Sequence, residues 1–266
     1  MNHLETPGGI TISYETCGAG PALVLVHGAF SDHLTNWEFV RPLFEKRFTV
    51  YAIARRGRGE TDATSGHSLE EEADDVVAVI REVGQPAFLL GHSYGAQTAL
   101  CAAHRAAHLV RKLVLYEPPW PSASAKRLLP RLEELAGEGD WEGFSVTFYR
   151  ELLLISAEEL EALHASELWP PIVRDARASL GDIRALLRYG FDPGRFRELR
   201  IPVLLQAGTE SPRELYATDA LAAALPDVRV EELAGQAHEG MTTAPELYAE
   251  SVTRFLLQER PLDRRA

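Results

Sequence analysis

The sequence predicts an α/β fold with a mostly parallel open sheet and an inserted helical cap. Short apolar runs recur along the chain, and helical patterns lie between most of them. This alternation is typical of parallel strands joined by right-handed crossovers. One interval breaks the alternation, because the chain between Tyr116 and Ile201 contains helical patterns and no convincing strand. We therefore expect a core formed by residues 1–117 and 200–266 and a cap formed by residues 118–199.

Seven segments have the patterns expected of strands. Residues 10–16 alternate in polarity after a Pro-Gly-Gly turn, which predicts a strand entered through a hairpin. Residues 22–26 are apolar throughout, as expected of a strand that is covered on both faces. The other strand predictions are residues 48–54, 87–90, 112–116, 202–207 and 228–233.

Capping patterns locate two of the helices that connect these strands. Ser68 and Glu71 form a capping box, in which each side chain bonds the backbone N–H of the other residue. The last helix is predicted to have Thr243 as its cap and Pro245 in its first turn, where proline is tolerated. In open parallel sheets, active sites form at the carboxyl ends of the strands. The loops that follow the strands are therefore where functional residues are expected.

The composition narrows the class of protein. A chain of 266 residues with 45% hydrophobic and 25% charged residues is typical of a globular protein with a large core. The net charge of −12 argues against nucleic acid and anionic membranes as partners, because both require a basic surface. The chain has only two cysteines, no targeting pattern at its start and no apolar run of membrane-spanning length. We therefore expect a soluble, cytoplasmic protein; no pattern specifies its oligomeric state.

A candidate nucleophile lies in the stretch GHSYG. Gly91, Ser93 and Gly95 fit the pattern G-x-S-x-G, in which the serine occupies a strained turn between a buried strand and a helix. At such a turn, side chains two residues before and after the serine would clash with neighbouring chain, so glycine is required. Glycine and serine are also common in ordinary turns, so the pattern depends on its context. Here an apolar run precedes it and a helical pattern follows, which favours a reactive serine.

A serine hydroxyl needs a base within hydrogen-bond reach, and the base needs an acid to orient it. His238 lies between the last strand and the last helix, on a loop at the same sheet edge as Ser93. The alternative for His238 is an exposed loop histidine. His92 adjoins Ser93 but is expected to point away from it across the turn. His104 and His108 lie four apart on a predicted helix, yet no third ligand accompanies them, so no metal site is predicted.

Two backbone N–H groups are candidates for an oxyanion hole. Gly28 ends the first buried strand and lets the N–H of Ala29 face the site, while the N–H of Tyr94 opens the helix after Ser93. With the dipole of that helix, these donors would hold the negative charge of a tetrahedral intermediate. The alternative is an ordinary glycine turn between a strand and a loop.

Four segments carry a resemblance to a known superfamily. In chain order they are LVLVHGAF, ARRGRGET, GHSYGA and GQAH. With them, the chain resembles the α/β-hydrolase superfamily over nearly its whole length. The resemblance implies a sheet of the α/β-hydrolase type and hydrolysis through an acyl-enzyme on Ser93, with His238 as the base. It implies neither a cofactor nor a metal.

The acid departs from the superfamily's common pattern. Members commonly carry an aspartate in a G-x-x-D segment after the strand that follows the cap, and Ser211 stands there, next to Glu210. A subset that resembles the haloalkane dehalogenases draws its acid from the end of the strand before the cap, where this chain has Glu117. The resemblance therefore implies Glu117 as the acid, with Glu210 as the alternative. The non-catalytic interpretation of Glu117 is a salt bridge with an arginine.

Three arginines in ARRGRGET, at positions 55, 56 and 58, follow a position where the superfamily usually has aspartate and this chain has Ala54. We expect them to anchor their loop through carboxylates rather than to bind an acidic substrate. Aromatic residues concentrate in the predicted cap, where most should form its core and one or two should line an apolar pocket above Ser93. The pocket candidates are Phe30, Trp120, Phe144, Phe148 and Trp169.

The expected substrate is a small carboxylic ester, lactone or related acyl compound with an apolar part. Serine as nucleophile argues against dehalogenase or epoxide hydrolase chemistry, because those relatives use aspartate. Fold does not determine function, so two alternatives stay open. One is a C–C bond hydrolase or lyase on the same scaffold, and the other is a ligand-binding relative that turns over slowly.

Overall fold

A computed structural model describes residues 1–63 and 66–258 of the chain. These residues form a sheet of eight strands in the order 1-2-4-3-5-6-7-8. The strands are β1 (Asn2–Glu5), β2 (Thr11–Gly18), β3 (Ala22–Val26), β4 (Thr49–Ile53), β5 (Ala87–His92), β6 (Val110–Tyr116), β7 (Val203–Gly208) and β8 (Val228–Leu233). Each of the seven predicted strands is present, and β1 is the first arm of the predicted hairpin.

The sheet is mostly parallel, as predicted. Strands β1 and β2 pair antiparallel, β2 pairs antiparallel with β4, and the six strands from β3 to β8 pair parallel. All residues of β3 and β5 are buried, because helices cover both faces of the central sheet. The prediction that residues 22–26 form a strand covered on both faces is therefore confirmed.

Helices connect the strands. In the described chain the α-helices are α1 (Arg41–Phe44), α2 (Leu69–Glu82), α3 (Tyr94–Arg105), α4 (Ala123–Glu138), α5 (Trp141–Glu151), α6 (Ala157–His164), α7 (Trp169–Arg188), α8 (Thr218–Ala224), α9 (Gly240–Thr243) and α10 (Pro245–Leu257). Four of them, α4 to α7, lie between β6 and β7, and we call this part of the chain the helical insertion. None of the described helices is long and apolar enough to cross a bilayer.

The core has three parts. Alternate residues of each central strand point to opposite faces of the sheet. One face packs against α2, α3 and α8, and the other packs against α1 and α10. A third apolar cluster lies within the helical insertion and includes Phe30 from the core. Helix α2 begins with the predicted capping box, since Glu71 N–H donates to Ser68 Oγ at 3.1 Å and Ser68 N–H donates to Glu71 Oε2 at 2.7 Å.

Two predictions about helices are wrong. Thr243 does not cap α10, because it is the last residue of α9, and its hydroxyl donates to Gln236 Oε1 at 2.6 Å. The residue before Pro245 is Ala244, whose side chain has no acceptor for a cap. His104 and His108 do not share a helix, since α3 ends at Arg105 and His108 lies in a separate 3-10 turn.

Candidate active site

Ser93 lies on the sharp turn between β5 and α3. Its backbone has φ 53° and ψ −126°, a conformation that a residue with a side chain rarely adopts. The surrounding chain must therefore hold the turn against local strain, which is the arrangement expected of a nucleophile turn. The side chain is half-buried and borders a cavity.

The two flanking glycines are required by close contacts. A Cβ on Gly91 would lie 2.4 Å from the carbonyl oxygen of Gly95. A Cβ on Gly95 would lie 2.3 Å from the carbonyl oxygens of both Val26 and His27. These contacts are backbone atoms that cannot move aside cheaply. The steric interpretation of the G-x-S-x-G pattern is therefore confirmed.

We expect Gly95→Ala to lower the free energy of unfolding by about 3 kcal/mol, because the new methyl group overpacks against β3. Gly137→Ala is the matched control, since Gly137 is helical and its added Cβ meets no heavy atom within 4 Å. We expect that control to be neutral or stabilising by up to ~1 kcal/mol. Urea denaturation measures both. Equal stability of Gly95→Ala and the unaltered protein would contradict the packing argument.

Glu117 contacts His238. The distance between Glu117 Oε2 and His238 Nδ1 is 2.7 Å, and Glu117 Oε1 accepts a hydrogen bond of 2.7 Å from the N–H of Gly208. Glu117 directly follows β6 and is fully buried. Glu210, the alternative acid, is exposed and accepts a hydrogen bond from the hydroxyl of Thr209. The geometry thus supports Glu117 over Glu210 as the partner of His238.

The pair is polarised in the sense that base catalysis requires. Burial alone would raise the pKa of the Glu117 carboxyl, but hydrogen bonding and charge from His238, with donors at Ser211 and Gly208, lower that pKa below its ordinary value. Burial would lower the pKa of His238, but Glu117 raises it above its ordinary value. An ionised carboxylate can only accept, so Nδ1 of His238 carries the proton. The Nε2 lone pair is then available to take another.

Three aromatic side chains hold the loop that carries His238. The Nε2–H of His92 donates to the carbonyl oxygen of His238 at 3.0 Å, and the hydroxyl of Tyr116 donates to the carbonyl oxygen of Ala237. The ring of Tyr216 stacks on the ring of His238 at 5.2 Å between centroids. The other ring nitrogen of His92, Nδ1, lies 3.1 Å from Asn36 Oδ1. His92 therefore supports the loop that carries His238.

The two predicted oxyanion donors border the same cavity as Ser93 and His238. A Cβ on Gly28 would lie 3.1 Å from Ser93 Cβ, so the chain that leads to Ala29 passes directly beside the nucleophile turn. Tyr94 is the first residue of α3, and its N–H has no acceptor within the helix. Within the described chain, the Ala29 N–H has no hydrogen-bond acceptor either. Both N–H groups are therefore available to a ligand.

The cavity has a volume of about 70 Å³. Within the described residues, Ser93 Oγ and His238 do not form a hydrogen bond with each other, although both border this space. Such bonds are commonly longer before substrate binds. The helical insertion supplies much of the apolar lining, including Phe148, Leu152, Leu153, Ile183, Leu186 and Leu187.

Two of the five pocket candidates, Trp120 and Phe148, line this cavity. The other three, Phe30, Phe144 and Trp169, are absent from its lining and belong to the apolar cluster of the insertion. The ring of Phe30 lies 4.4 Å from that of Phe148 and 5.8 Å from that of Phe144. Phe30 packs into the apolar cluster of the insertion and so connects the core to it, instead of lining the cavity.

The three arginines anchor their loop through carboxylates, as predicted. Arg55 donates to Glu72 at 2.9 Å and to Asp182 at 2.8 Å, and Arg58 also contacts Asp182. Arg56 donates to Asp75 at 2.6 Å. Asp182 and its neighbour Ser179 on α7 were not among the predicted residues. A polar stripe at positions 175, 179 and 182, at helical spacing, was the pattern that could have indicated them.

Two clusters of the described residues bring three potential metal ligands together, His92 with His238 and Glu239, and His67 with Glu72 and Asp182. In the first, hydrogen bonds to Glu117 and to a backbone carbonyl already occupy the histidine nitrogens Nδ1 of His238 and Nε2 of His92. In the second, the guanidinium groups of Arg55 and Arg58 neutralise the carboxylates. Neither cluster is assigned to a metal.

The mostly parallel eight-stranded sheet with helices on both faces defines an α/β protein, and Ser93 and His238 border one cavity in it. The chain belongs to the α/β hydrolase family, whose model matches residues 23–251. The family is one of hydrolases.

A 2-(acetamidomethylene)succinate hydrolase from Mesorhizobium japonicum is 27% identical over 263 residues, which cover 94% of this chain and 92% of that protein. An N-formylmaleamate deformylase from Pseudomonas putida is 34% identical over 173 residues, which cover 59% of this chain and 62% of that protein. The crystal structure of an α/β hydrolase from Sphaerobacter thermophilus is 28% identical and has a TM-score of 0.84, covering 96% of this chain and all of that one. The fold of this chain is therefore shared along nearly its full length.

Proposed function

We propose that the protein is a serine hydrolase that cleaves a carboxylic ester, lactone or related acyl compound through an acyl-enzyme on Ser93. The observation that carries this proposal is the contact of 2.7 Å between the buried Glu117 and the half-buried His238, at the cavity that Ser93 borders. The glycine contacts that enforce the turn at Ser93 support it. In this proposal the helical insertion acts as a cap over the site.

The proposed reaction has two halves. In the first, His238 Nε2 takes the proton of Ser93 Oγ as that oxygen attacks the carbonyl carbon, and the N–H groups of Ala29 and Tyr94 donate to the resulting oxyanion. His238 then returns the proton to the departing alcohol oxygen, which leaves the acyl group on Ser93. In the second half, His238 takes a proton from water as the water oxygen attacks the acyl carbon, and it then returns that proton to Ser93 Oγ as the bond to Ser93 breaks and the carboxylic acid leaves. Glu117 stabilises the imidazolium in both halves.

The lining of the cavity supports an acyl group that is uncharged. Apart from His238, none of the described lining residues is cationic, and the one carboxylate among them, Asp182, is neutralised by Arg55 and Arg58. The two named relatives act, by name, on a succinate and a maleamate, which carry carboxylates. A carboxylate in the cavity of this chain would have no partner, and burying it would be costly. We therefore propose a small, neutral, apolar acyl group.

Two bulk properties support further proposals. The net charge of −12 favours a small-molecule substrate over nucleic acid or an anionic membrane. The cysteines, Cys17 and Cys101, are both free thiols, which favours a reducing compartment such as the cytoplasm.

The experiment compares two esters with the same leaving group and the same acyl length, 4-nitrophenyl butyrate and mono-4-nitrophenyl succinate. We expect kcat/KM to be about 10²-fold higher for the butyrate, because the succinate must bury an unpaired carboxylate. Release of nitrophenol measures both. Equal kcat/KM values would contradict the neutral acyl group.

The same assay separates the alternative functions. Sustained release of nitrophenol supports the hydrolase. A single burst equal to the enzyme concentration would contradict it and favour a ligand-binding relative. No ester turnover, together with cleavage of a carbon–carbon bond in a substrate screen, would favour the C–C hydrolase or lyase.

A further inference from the structure

We propose that Ser179 on α7 is a positioning residue for the oxyanion hole, so that the helical insertion sets the direction of the Ala29 N–H. This inference rests on the proposed function, because it concerns how one of the two donors is held. The relevant segment is the oxyanion loop, which we define as residues 27–31. Ser179 is not among the described residues that line the cavity, and its hydroxyl oxygen accepts from the backbone N–H of Phe30.

Hydrogen bonds fix the oxyanion loop on both sides of Ala29. Before it, the N–H of Gly28 donates to Asn36 Oδ1 at 2.8 Å, and the carbonyl oxygen of Gly28 accepts from Arg55 Nη2 at 2.8 Å. After it, the N–H of Phe30 donates to Ser179 Oγ at 2.7 Å. The two flanking N–H groups are thus held, and the one between them is unused within the described chain. This is the arrangement of a preorganised donor.

The hydroxyl of Ser179 is itself oriented. Ser179 is fully buried, and its Oγ–H donates to the carbonyl oxygen of Asp175, one turn earlier in α7, at 2.8 Å. Because its proton is committed there, its lone pairs accept from the N–H of Phe30 and from Arg58 Nη2, the latter at 3.2 Å. Ser179→Ala removes this hydroxyl and would leave the buried N–H of Phe30 without an acceptor.

Ser179 Oγ is an important acceptor because the backbone of Phe30 is strained. Phe30 has φ 55°, a left-handed conformation that is costly for a residue with a large side chain. Such a conformation persists only when its surroundings hold it. Without Ser179 Oγ, the peptide between Ala29 and Phe30 can relax, and the adjoining N–H of Ala29 turns with it.

A second residue of α7, Asp182, is connected through Arg55 to Tyr94, the other predicted oxyanion donor. Asp182 lies one turn beyond Ser179 and binds both Arg55 and Arg58. The guanidinium carbon of Arg55 lies 4.6 Å from the centre of the Tyr94 ring, and Tyr94 carries the other predicted oxyanion donor. One helix of the insertion is therefore connected to both donor residues.

The test compares Ser179→Ala with Ser145→Ala. Ser145 is also fully buried in the insertion and donates to a helical carbonyl, that of Trp141 at 2.9 Å, but among the described residues it forms no hydrogen bond with the oxyanion loop. Loss of a whole oxyanion donor costs 10²–10³ in kcat, so we expect displacement of one to lower kcat by about tenfold in Ser179→Ala. KM for 4-nitrophenyl butyrate should change less than about twofold, because the donor acts on the transition state. Ser145→Ala should leave both constants near those of the unaltered enzyme.

The affinity of an inhibitor that forms an oxyanion distinguishes a displaced donor from a general loss of stability. A trifluoromethyl ketone adds to the serine and forms an oxyanion, so its affinity should fall about as much as kcat in Ser179→Ala. Unchanged kcat in Ser179→Ala would overturn the proposal. A rise in KM alone, with kcat and inhibitor affinity retained, would also overturn it.

Amide hydrogen exchange in the unaltered protein tests the same idea without a variant. The Phe30 amide should exchange slowly, while the Ala29 amide should exchange fast and become protected only when the trifluoromethyl ketone is bound. Equally fast exchange at both amides in the free protein would overturn the proposal. Failure of the proposed function is distinguishable, because it would appear as absent ester turnover and absent ketone binding in the unaltered protein.

Discussion

Ser93→Ala is expected to lower kcat for ester hydrolysis by a factor of about 10⁴ to 10⁶, the loss seen when a serine nucleophile is removed and only the oxyanion donors and binding remain. The reason is that no acyl-enzyme can form without the hydroxyl that the strained turn presents. KM should stay within a few-fold of its original value, since the lining of the cavity is unchanged. Steady-state release of nitrophenol and mass spectrometry of the acylated protein measure the effect.

Ser122→Ala is the matched control for this substitution. Ser122 borders the same cavity, but its hydroxyl caps α4 by accepting from the N–H of Ala125 at 3.1 Å. Its loss should lower the free energy of unfolding by about 1 kcal/mol and leave kcat within a few-fold. Retention of more than a tenth of the activity by Ser93→Ala, or acylation at another residue, would show that the nucleophile has been misassigned.

Glu117→Gln is expected to have the second largest effect, a fall in kcat of about 10² to 10⁴. The glutamine is nearly the same size, but its amide can offer an N–H to Nδ1 of His238 and so favour the wrong tautomer. It also carries no charge to stabilise the imidazolium. Glu210→Gln is the control, because Glu210 is exposed and contacts Thr209 rather than His238. Inactivation by Glu210→Gln with full activity in Glu117→Gln would transfer the role of the acid.

A pH profile distinguishes loss of charge from a packing defect. His238 must be neutral to take the proton of Ser93, so kcat/KM should fall as the pH drops through the pKa of His238. Glu117 raises that pKa in the folded protein. In Glu117→Gln the pKa should be lower, and the acidic limb of the profile should move to lower pH. An acidic limb at the same pH in both proteins would mean that Glu117 does not interact with the base.

The sheet could be predicted because its pattern is local. A continuous apolar run indicated β3 as a covered strand, and the turn at Ser93 could be recognised because steric contacts allow only glycine at positions 91 and 95. Choosing between two acids was harder, because Glu117 and Glu210 both follow the end of a strand. Only the tertiary structure distinguishes the buried carboxylate beside His238 from the exposed one.

The insertion was less predictable for a physical reason. Helix α7 is buried on more than one side, so its apolar residues do not reveal which of them face the cavity and which face the insertion's own core. The sequence likewise could not show which one or two aromatic candidates line the cavity, and Phe30, Phe144 and Trp169 lie in the apolar cluster of the insertion instead. Ser179 and Asp182 were missed because their partners lie more than a hundred residues away in the chain.

The buried ion pairs between α7 and the core have a consequence for how substrate enters. Separating Asp182 from Arg55 and Arg58 would leave buried charges uncompensated, at a cost of about 3–5 kcal/mol. We therefore expect α7 to keep its place against the core when substrate enters. We expect any movement that admits substrate to occur in α4, α5 and α6. In the described chain, these helices form no ion pairs with the core. Trp120 precedes α4, lines the cavity and is 37% exposed, so we expect substrate to pass beside it when these helices move.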